Sequence, residues 1–92
     1  MIVSFLHKGL RLLFEEDDGR KLHPDLRNRL RLILSALNAA ERAEDLNQPT
    51  FRLHPLKGDR AGRWAVTVRA NRRVTFRFLE SHVHDVDLED YH

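Results

Sequence analysis

Cysteine is absent from this chain. That removes disulfide scaffolds, cysteine-based zinc sites and thiol nucleophiles together, and it suits a reducing, cytoplasmic address. Long hydrophobic runs are missing too: no apolar stretch approaches the roughly 18 to 20 residues that a bilayer span requires. The opening MIVSFLHKGL is apolar at first but is broken by His7 and Lys8, with no basic region ahead of it. It does not read as a signal peptide, and no membrane partner is expected. There is no Walker phosphate loop, dinucleotide fingerprint or nucleophile elbow, and no internal repeat or linker-like tract. With 92 residues, 41% hydrophobic and 33% charged, residues 1–92 read as a single globular domain able to bury its own core.

A further absence is local. Between Asn47 and Leu79 there is one acid, Asp59, against eight Lys or Arg, a net charge of about +7. Residues 1–46 balance at eight basic and eight acidic, and residues 80–92 carry five acids and no Lys or Arg. The modest total of +2 therefore conceals a cationic patch beside an acidic tail. The patch also holds Trp64 and His54 on strand-like sequence. Cations interleaved with aromatics suit a polyanion whose bases can stack, and RNA fits that description first.

In chain order, Ile2 to Phe5 is β-branched and aromatic and predicts a first strand. Leu6, Leu10, Leu13 and Phe14 fall at helical spacing over Lys8 to Glu16, and Asp17-Asp18-Gly19 stops that helix. Leu22 to Ala40 predicts the clearest helix, with Pro24 and Asp25 in its first turn and Leu26, Leu30, Ile33, Leu34 and Leu37 on one face. Arg27 and Arg31 lie on another face and read as solvated charges. A short helical continuation through Glu41 to Leu46 ends before Pro49.

After Pro49 the period changes to two. Phe51 and Leu53 predict a strand that Pro55 cuts short or confines to an edge. Lys57 to Gly62 reads as a charged turn. Trp64, Val66 and Val68, then Val74, Phe76 and Phe78, alternate with polar residues on either side of a turn at Ala70 to Arg72. That is a hairpin with one buried and one basic face. Val83 to Leu88 predicts a last strand, Val86 and Leu88 inward, Asp85 and Asp87 outward. The fold class is α+β, two N-terminal helices packed on a four- to five-stranded antiparallel sheet. The predicted core is Leu26, Leu30, Leu34, Leu37, Trp64, Val66, Val74, Phe76 and Phe78.

RNA carries its own nucleophile, the 2′-hydroxyl, so cleaving it requires no Ser or Cys. It does require a base for the 2′ proton, an acid for the leaving 5′ oxygen and cations around the phosphorane. Imidazoles titrate near neutrality and suit both proton tasks. His54 sits next to a proline at the start of the basic patch, where a half-buried strand histidine is an equal reading. Asp90-Tyr91-His92 is a terminal run of the kind that ordinarily frays. A last strand returning beside the hairpin would instead bring it to Arg73. Arg73, Lys57 and Arg60 suit the charge on the phosphorane. Asp90 would orient His92 or act as base, and Tyr91 would stack on a base or donate a hydrogen bond. Arg63, Arg69, Arg72 and Arg77 complete a candidate RNA-binding set. No cofactor and no metal is needed. His82-x-His84 has a spacing a metal can use, but without a third ligand the pair reads as exposed strand residues. His7 and His23 stand where helices begin and read as capping or surface residues.

The strings FRLHPLKGDRAGRWAV, NRRVTFRF and terminal EDYH, with the opening MIVSFLHKGLRLLFE, resemble the HigB toxins of the RelE superfamily, in register along nearly the whole chain. The resemblance implies a RelE-like α+β domain and an mRNA endonuclease acting on translated mRNA in the A site of the 70S ribosome. Its implied site is His54, Lys57, Arg73, Asp90, Tyr91 and His92. It further implies a HigA-like helix-turn-helix antitoxin, and contact with operator DNA only indirectly, through the toxin–antitoxin complex. Arg72 stands where the family often has an aromatic, and Ala70 where it often has glycine. Both bear on base stacking and turn geometry rather than on the catalytic set. The rival from another class is a non-enzymatic binder of the same fold, either a ParE-like gyrase inhibitor or a ribosome- or RNA-binding module. Binding alone needs cations and aromatics, but not two imidazoles and a terminal carboxylate, and that feature favours the nuclease.

Overall fold

The longest element is α2, Pro24–Ala39, in a computed structural model that describes residues 1–90. It starts later than the hydrophobic pattern suggests because His23 is its cap: the ring Nδ1 accepts the Asp25 N–H at 3.1 Å. His7 does the same for α1, Lys8–Glu16, accepting the Leu10 N–H at 3.2 Å. Asp17 ends α1 in the left-handed region (φ 53°). Leu10 and Leu13 of α1 and Leu26, Leu30, Ile33, Leu34 and Leu37 of α2 are all buried, as one stripe per helix requires. Leu6 does not join its stripe; it lies ahead of the helix and is 62% exposed. A single 3-10 turn, Ala43–Leu46, takes the place of the helical continuation and buries Leu46.

Four strands follow: β1 (His54–Pro55), β2 (Arg63–Arg69), β3 (Arg72–Leu79) and β4 (His82–Asp90). They form one antiparallel sheet in sequential order, β1-β2-β3-β4. Phe51 and Leu53 do not extend β1. Arg52 between them is left-handed (φ 50°), which breaks the pleat, and Phe51 turns fully into the core. Pro55 sits on the sheet edge, where its missing N–H costs no ladder bond.

The N-terminal segment forms no strand of the antiparallel sheet. It runs parallel to β4 through two isolated bridges, Ile2 with Val83 and Phe5 with Val86. It covers the β4 edge with bonds such as Val3 N–H to Val83 O at 2.7 Å.

Val66, Val68, Val74, Phe76, Val83 and Val86 close the core from the sheet side. Trp64 and Phe78, expected inside, are only partly buried against it. Val83 and Val86 both point inward although they are three residues apart. A β-bulge reconciles them: pairing steps from Thr75 with Asp87 to Arg77 with His84, so two residues of β4 face one of β3. Asp85 takes the strained position (φ 55°). Ser4 Oγ accepts its N–H at 2.9 Å, Arg63 donates to its carbonyl at 2.9 Å, and Arg77 donates to its carboxylate at 3.1 Å.

Candidate active site on the open sheet face

Residues paired across a sheet share a face, so the register sorts the polar side chains. His54, Ala65, Thr75 and Asp87 form one row on the face away from the helices. Thr67, Arg73 and Glu89 form a second, and Arg63, Arg77 and His84 a third. The basic alternation seen in the sequence thus becomes a floor of arginines, with His54 at its β1 edge.

His54 is oriented from beneath. Its Nδ1 lies 2.9 Å from the carbonyl oxygen of Arg52, and a carbonyl only accepts, so Nδ1 carries the hydrogen. In the neutral ring this leaves Nε2 as the acceptor, the form a general base needs. The backbone just before Arg52 is itself held. The Phe51 carbonyl accepts the Thr67 N–H at 2.7 Å. Arg29 of α2 lies over the Phe51 ring, 5.1 Å from its centroid, and donates to the Thr50 and Thr67 carbonyls at 2.6 and 3.0 Å. Nothing in the helix pattern distinguished Arg29 from its solvated neighbours, because its partners come from a loop and a strand far along the chain.

On β4, among these arginines, stands Glu89. Both its oxygens accept from the Arg60 guanidinium, one at 2.6 Å, and Oε2 also accepts the Thr75 hydroxyl at 2.5 Å. Arg73 Nη2 lies 4.0 Å from Oε1. The Arg60 fork, then Thr75 and the Arg73 charge, hold this carboxyl far below its ordinary range, at about 2. The same bond pushes Arg60 up. Arg63 donates to Thr75 Oγ1 at 2.8 Å; burial, and then the charge of Arg60, push its guanidinium down. Glu89 was missed in the sequence, although a signal existed: with Val86 and Leu88 inward, alternation turns Asp87 and Glu89 toward the arginine face.

The remaining candidates separate into two groups. Arg60, Arg63, Arg73 and Arg77 share the open face with His54, and Lys57 is exposed in the turn just before Arg60. Arg69, Arg72 and Asp90 lie at the far end of the sheet. Arg72 pairs with Asp90, 3.9 Å away, and Arg69 lies 3.8 Å from Asp25 of α2. Arg69 and Arg72 line a cleft of about 290 Å³ with His23, Asp25 and Asn71. Tyr91 and His92 lie outside the described residues. His84 is half-buried opposite Arg77, and His82 is exposed. No helix among the described residues is long and apolar enough to cross a membrane.

Two helices on one face of a sequential four-stranded antiparallel sheet, with the other face left open and basic, is the architecture of RelE-fold toxins. YafQ from E. coli strain BL21(DE3) shares the fold at a TM-score of 0.62 and 12% identity, over 98% of this chain and 93% of that one. A chain of the YoeB–YefM complex from Staphylococcus aureus does so at 0.61 and 10% identity, over 100% and 98%. Sequence narrows the class further. Residues 3–92 match the family model of the RelE-like toxin of type II toxin–antitoxin system HigB. Endoribonuclease HigB of Proteus vulgaris is 45% identical over 92 residues, spanning the whole of both chains. The chain belongs to the HigB-like toxin family.

Proposed function

We infer that this type II toxin is an endoribonuclease that cuts translated mRNA in the A site of the 70S ribosome, by attack of the RNA's own 2′-hydroxyl and without a metal. The observation that carries the reading is His54, its Nδ1 on the Arg52 carbonyl, standing over an arginine floor. A base takes the 2′ proton, the 2′ oxygen bonds to phosphorus, and the bond to the 5′ oxygen breaks as an acid protonates it. His54 and His92 supply that pair of proton tasks, with Asp90 orienting His92 or taking the proton itself. Tyr91 packs on a base or donates a hydrogen bond. Arg73, with Lys57 and Arg60, stabilises charge that grows in the transition state. Arg63 and Arg77, and Arg69 and Arg72 at the far end, attract the backbone of the message.

The neutralising partner is a helix-turn-helix antitoxin of the HigA kind; operator DNA is met only through that complex, and the site of action is the cytoplasm. Mapping mRNA 5′ ends after a pulse of expression tests the reading, with wild type beside His92→Ala. New 5′-hydroxyl ends in translated frames are expected, opposite 2′,3′-cyclic or 3′-phosphate ends, in wild type alone. Cleavage survives EDTA once ribosome integrity is controlled for. Products with a 5′-phosphate, activity restored only by a divalent ion, or ribosome binding with no new ends would overturn it.

A further inference from the structure

Arg60 belongs to a loop that has little reason to stay where it is. The loop runs from Lys57 to Gly62 between β1 and β2, and both its glycines adopt positive φ, 70° at Gly58 and 97° at Gly62. Nothing lies within 4 Å of where a Cβ would stand on either. Its backbone bonds close within the loop, Arg60 N–H to Lys57 O and Ala61 N–H to Gly58 O, or onto the base of β2, Leu56 N–H to Arg63 O. The Arg60 side chain nevertheless crosses the sheet to β4, where it ends on Glu89 in a two-point fork.

Glu89 is well fixed to receive it. Thr75, which is fully buried, gives its hydroxyl hydrogen to Glu89 and accepts from Arg63, so carboxylate and floor are one connected set. Arg60 and Arg73 flank this carboxylate, and Arg63 reaches it through Thr75, with Asp87 the neighbouring acid on the same face. The geometry leaves capacity as well as charge. A guanidinium has five N–H donors, and the fork uses two of those on Arg60, so three remain for another anion.

We propose that Glu89 is a positioning residue of the nuclease: it draws Arg60, and with it the loop that carries Lys57, onto the open face beside Arg73, setting these cations for one phosphate of the RNA. This deepens the reading of the sheet face as a nuclease site and rests on it. An arginine already oriented loses less freedom when a phosphate arrives, and a loop held in place keeps Lys57 within reach. Glu89 itself touches no substrate; it acts through Arg60.

The test is a double-mutant cycle of Glu89→Gln and Arg60→Ala, with single-turnover cleavage on programmed ribosomes, thermal unfolding, and tryptic cleavage after Lys57. Glu89→Gln keeps size and an acceptor for Thr75 but gives up the charge that holds the fork. It is expected to lower the rate constant at saturating ribosome between about 10- and 100-fold, the range for misplacing a group that acts in the transition state. Arg60→Ala should do as much, and the double variant no more than either single. Tryptic cleavage after Lys57 should quicken in Glu89→Gln, and Glu89→Asp, charged but shorter, should recover part of the rate. If Glu89→Gln fails to fold, Arg60→Ala, which removes a half-exposed loop side chain, carries the rate test alone, and a rate near wild type overturns the proposal. Additive losses, an unchanged rate beside a loosened loop, or an effect confined to apparent affinity would overturn it too. Wild-type protein that leaves RNA intact while the loop still loosens in Glu89→Gln would instead remove the nuclease reading, and the proposal with it.

Discussion

The two faces of the sheet come from alternate residues of the same strands, yet they are built by opposite rules. Toward the helices, Val66, Val74, Phe76, Val83 and Val86 are fully buried within the apolar core cluster. Toward the open side, Arg63, Arg77 and Glu89 are half-buried charges held by directional bonds, and Arg73 lies 4.0 Å from Glu89. The first face gains from area removed from water and tolerates any side chain of suitable shape. The second holds charges in fixed places at a cost in desolvation, which makes sense where charge must be ready before a ligand arrives. Stability and activity should therefore separate by parity along the strands as far as Arg73 and Glu89; the next pair, Arg72 and Asp90, has the other parity and sits at the strand ends.

The largest effect expected is on the chemistry. His92→Ala or Asp90→Ala should slow single-turnover cleavage by at least about 100-fold, the lower end for losing a positioned acid or base. Urea melts of both should overlay wild type, and a loss of stability in step with the loss of rate would erase the division between faces. Next comes the dry side. Leu34→Ala should cost roughly 2 to 5 kcal/mol of stability, because Leu34 is 1% exposed within the core. Its cleavage rate under folding conditions should stay near wild type.

Smaller effects sharpen the contrast. Neutralising Arg73 and Arg77 to Gln should flatten the slope of log affinity against log salt by about 1.4, two phosphates' worth for single-stranded RNA. Arg27→Gln with Arg31→Gln, on the helical side, should leave the slope unchanged; equal changes from both pairs would remove the open face as the RNA surface. The smallest effect concerns acid. Glu89 has its carboxyl held at about 2 instead of 4.5, so its contribution to stability is complete above pH 4.5 and is lost as pH falls through about 2. The stability gap between wild type and Glu89→Gln should be level from pH 7 to 5 and close on approach to pH 2. A gap that changes between pH 7 and 5 would mean a different group is titrating.

Much of this was legible in the order of residues, because period is a local property. The leucine spacing of α2 and the alternation from Arg63 to Leu79 each mark their element without help from elsewhere. What escaped depends on partners distant in the chain. Phe51 and Leu53 look like strand, but Arg52 turns left-handed in a segment where Phe51 is engaged by Thr67 and Arg29. Ile2 to Phe5 has strand composition, yet its direction beside β4 is set by where α1 must pack, and composition carries no direction. At the site, the arginines could be placed on one face by parity alone. Their division between His54 and the far end could not, since it follows from the lengths of β2 and β3 and from Asp25 on a helix. Glu89 was hidden by its neighbours: in an acid-rich tail it reads as one more negative charge, and only the register sets it opposite Arg73.

The bulge at Asp85 has a consequence for how this chain can vary. A pleated strand is a two-beat sequence, and Asp85 is an extra beat that resets the count for everything after it. Replacing Asp85 by Gly or Asn leaves the count intact. Deleting it, with the β3–β4 turn held, removes the bulge and keeps every later face, Val86 opposite Phe76 and Glu89 opposite Arg73. Losing one residue beyond the bulge, at Asp87 or Leu88, would instead turn Glu89 toward the helices and bring Asp90 opposite Arg73. The two adjacent carboxylates would exchange roles without either being mutated. Chain length beyond the bulge thus decides which acid the open face presents, and there length in β4 is constrained more tightly than identity.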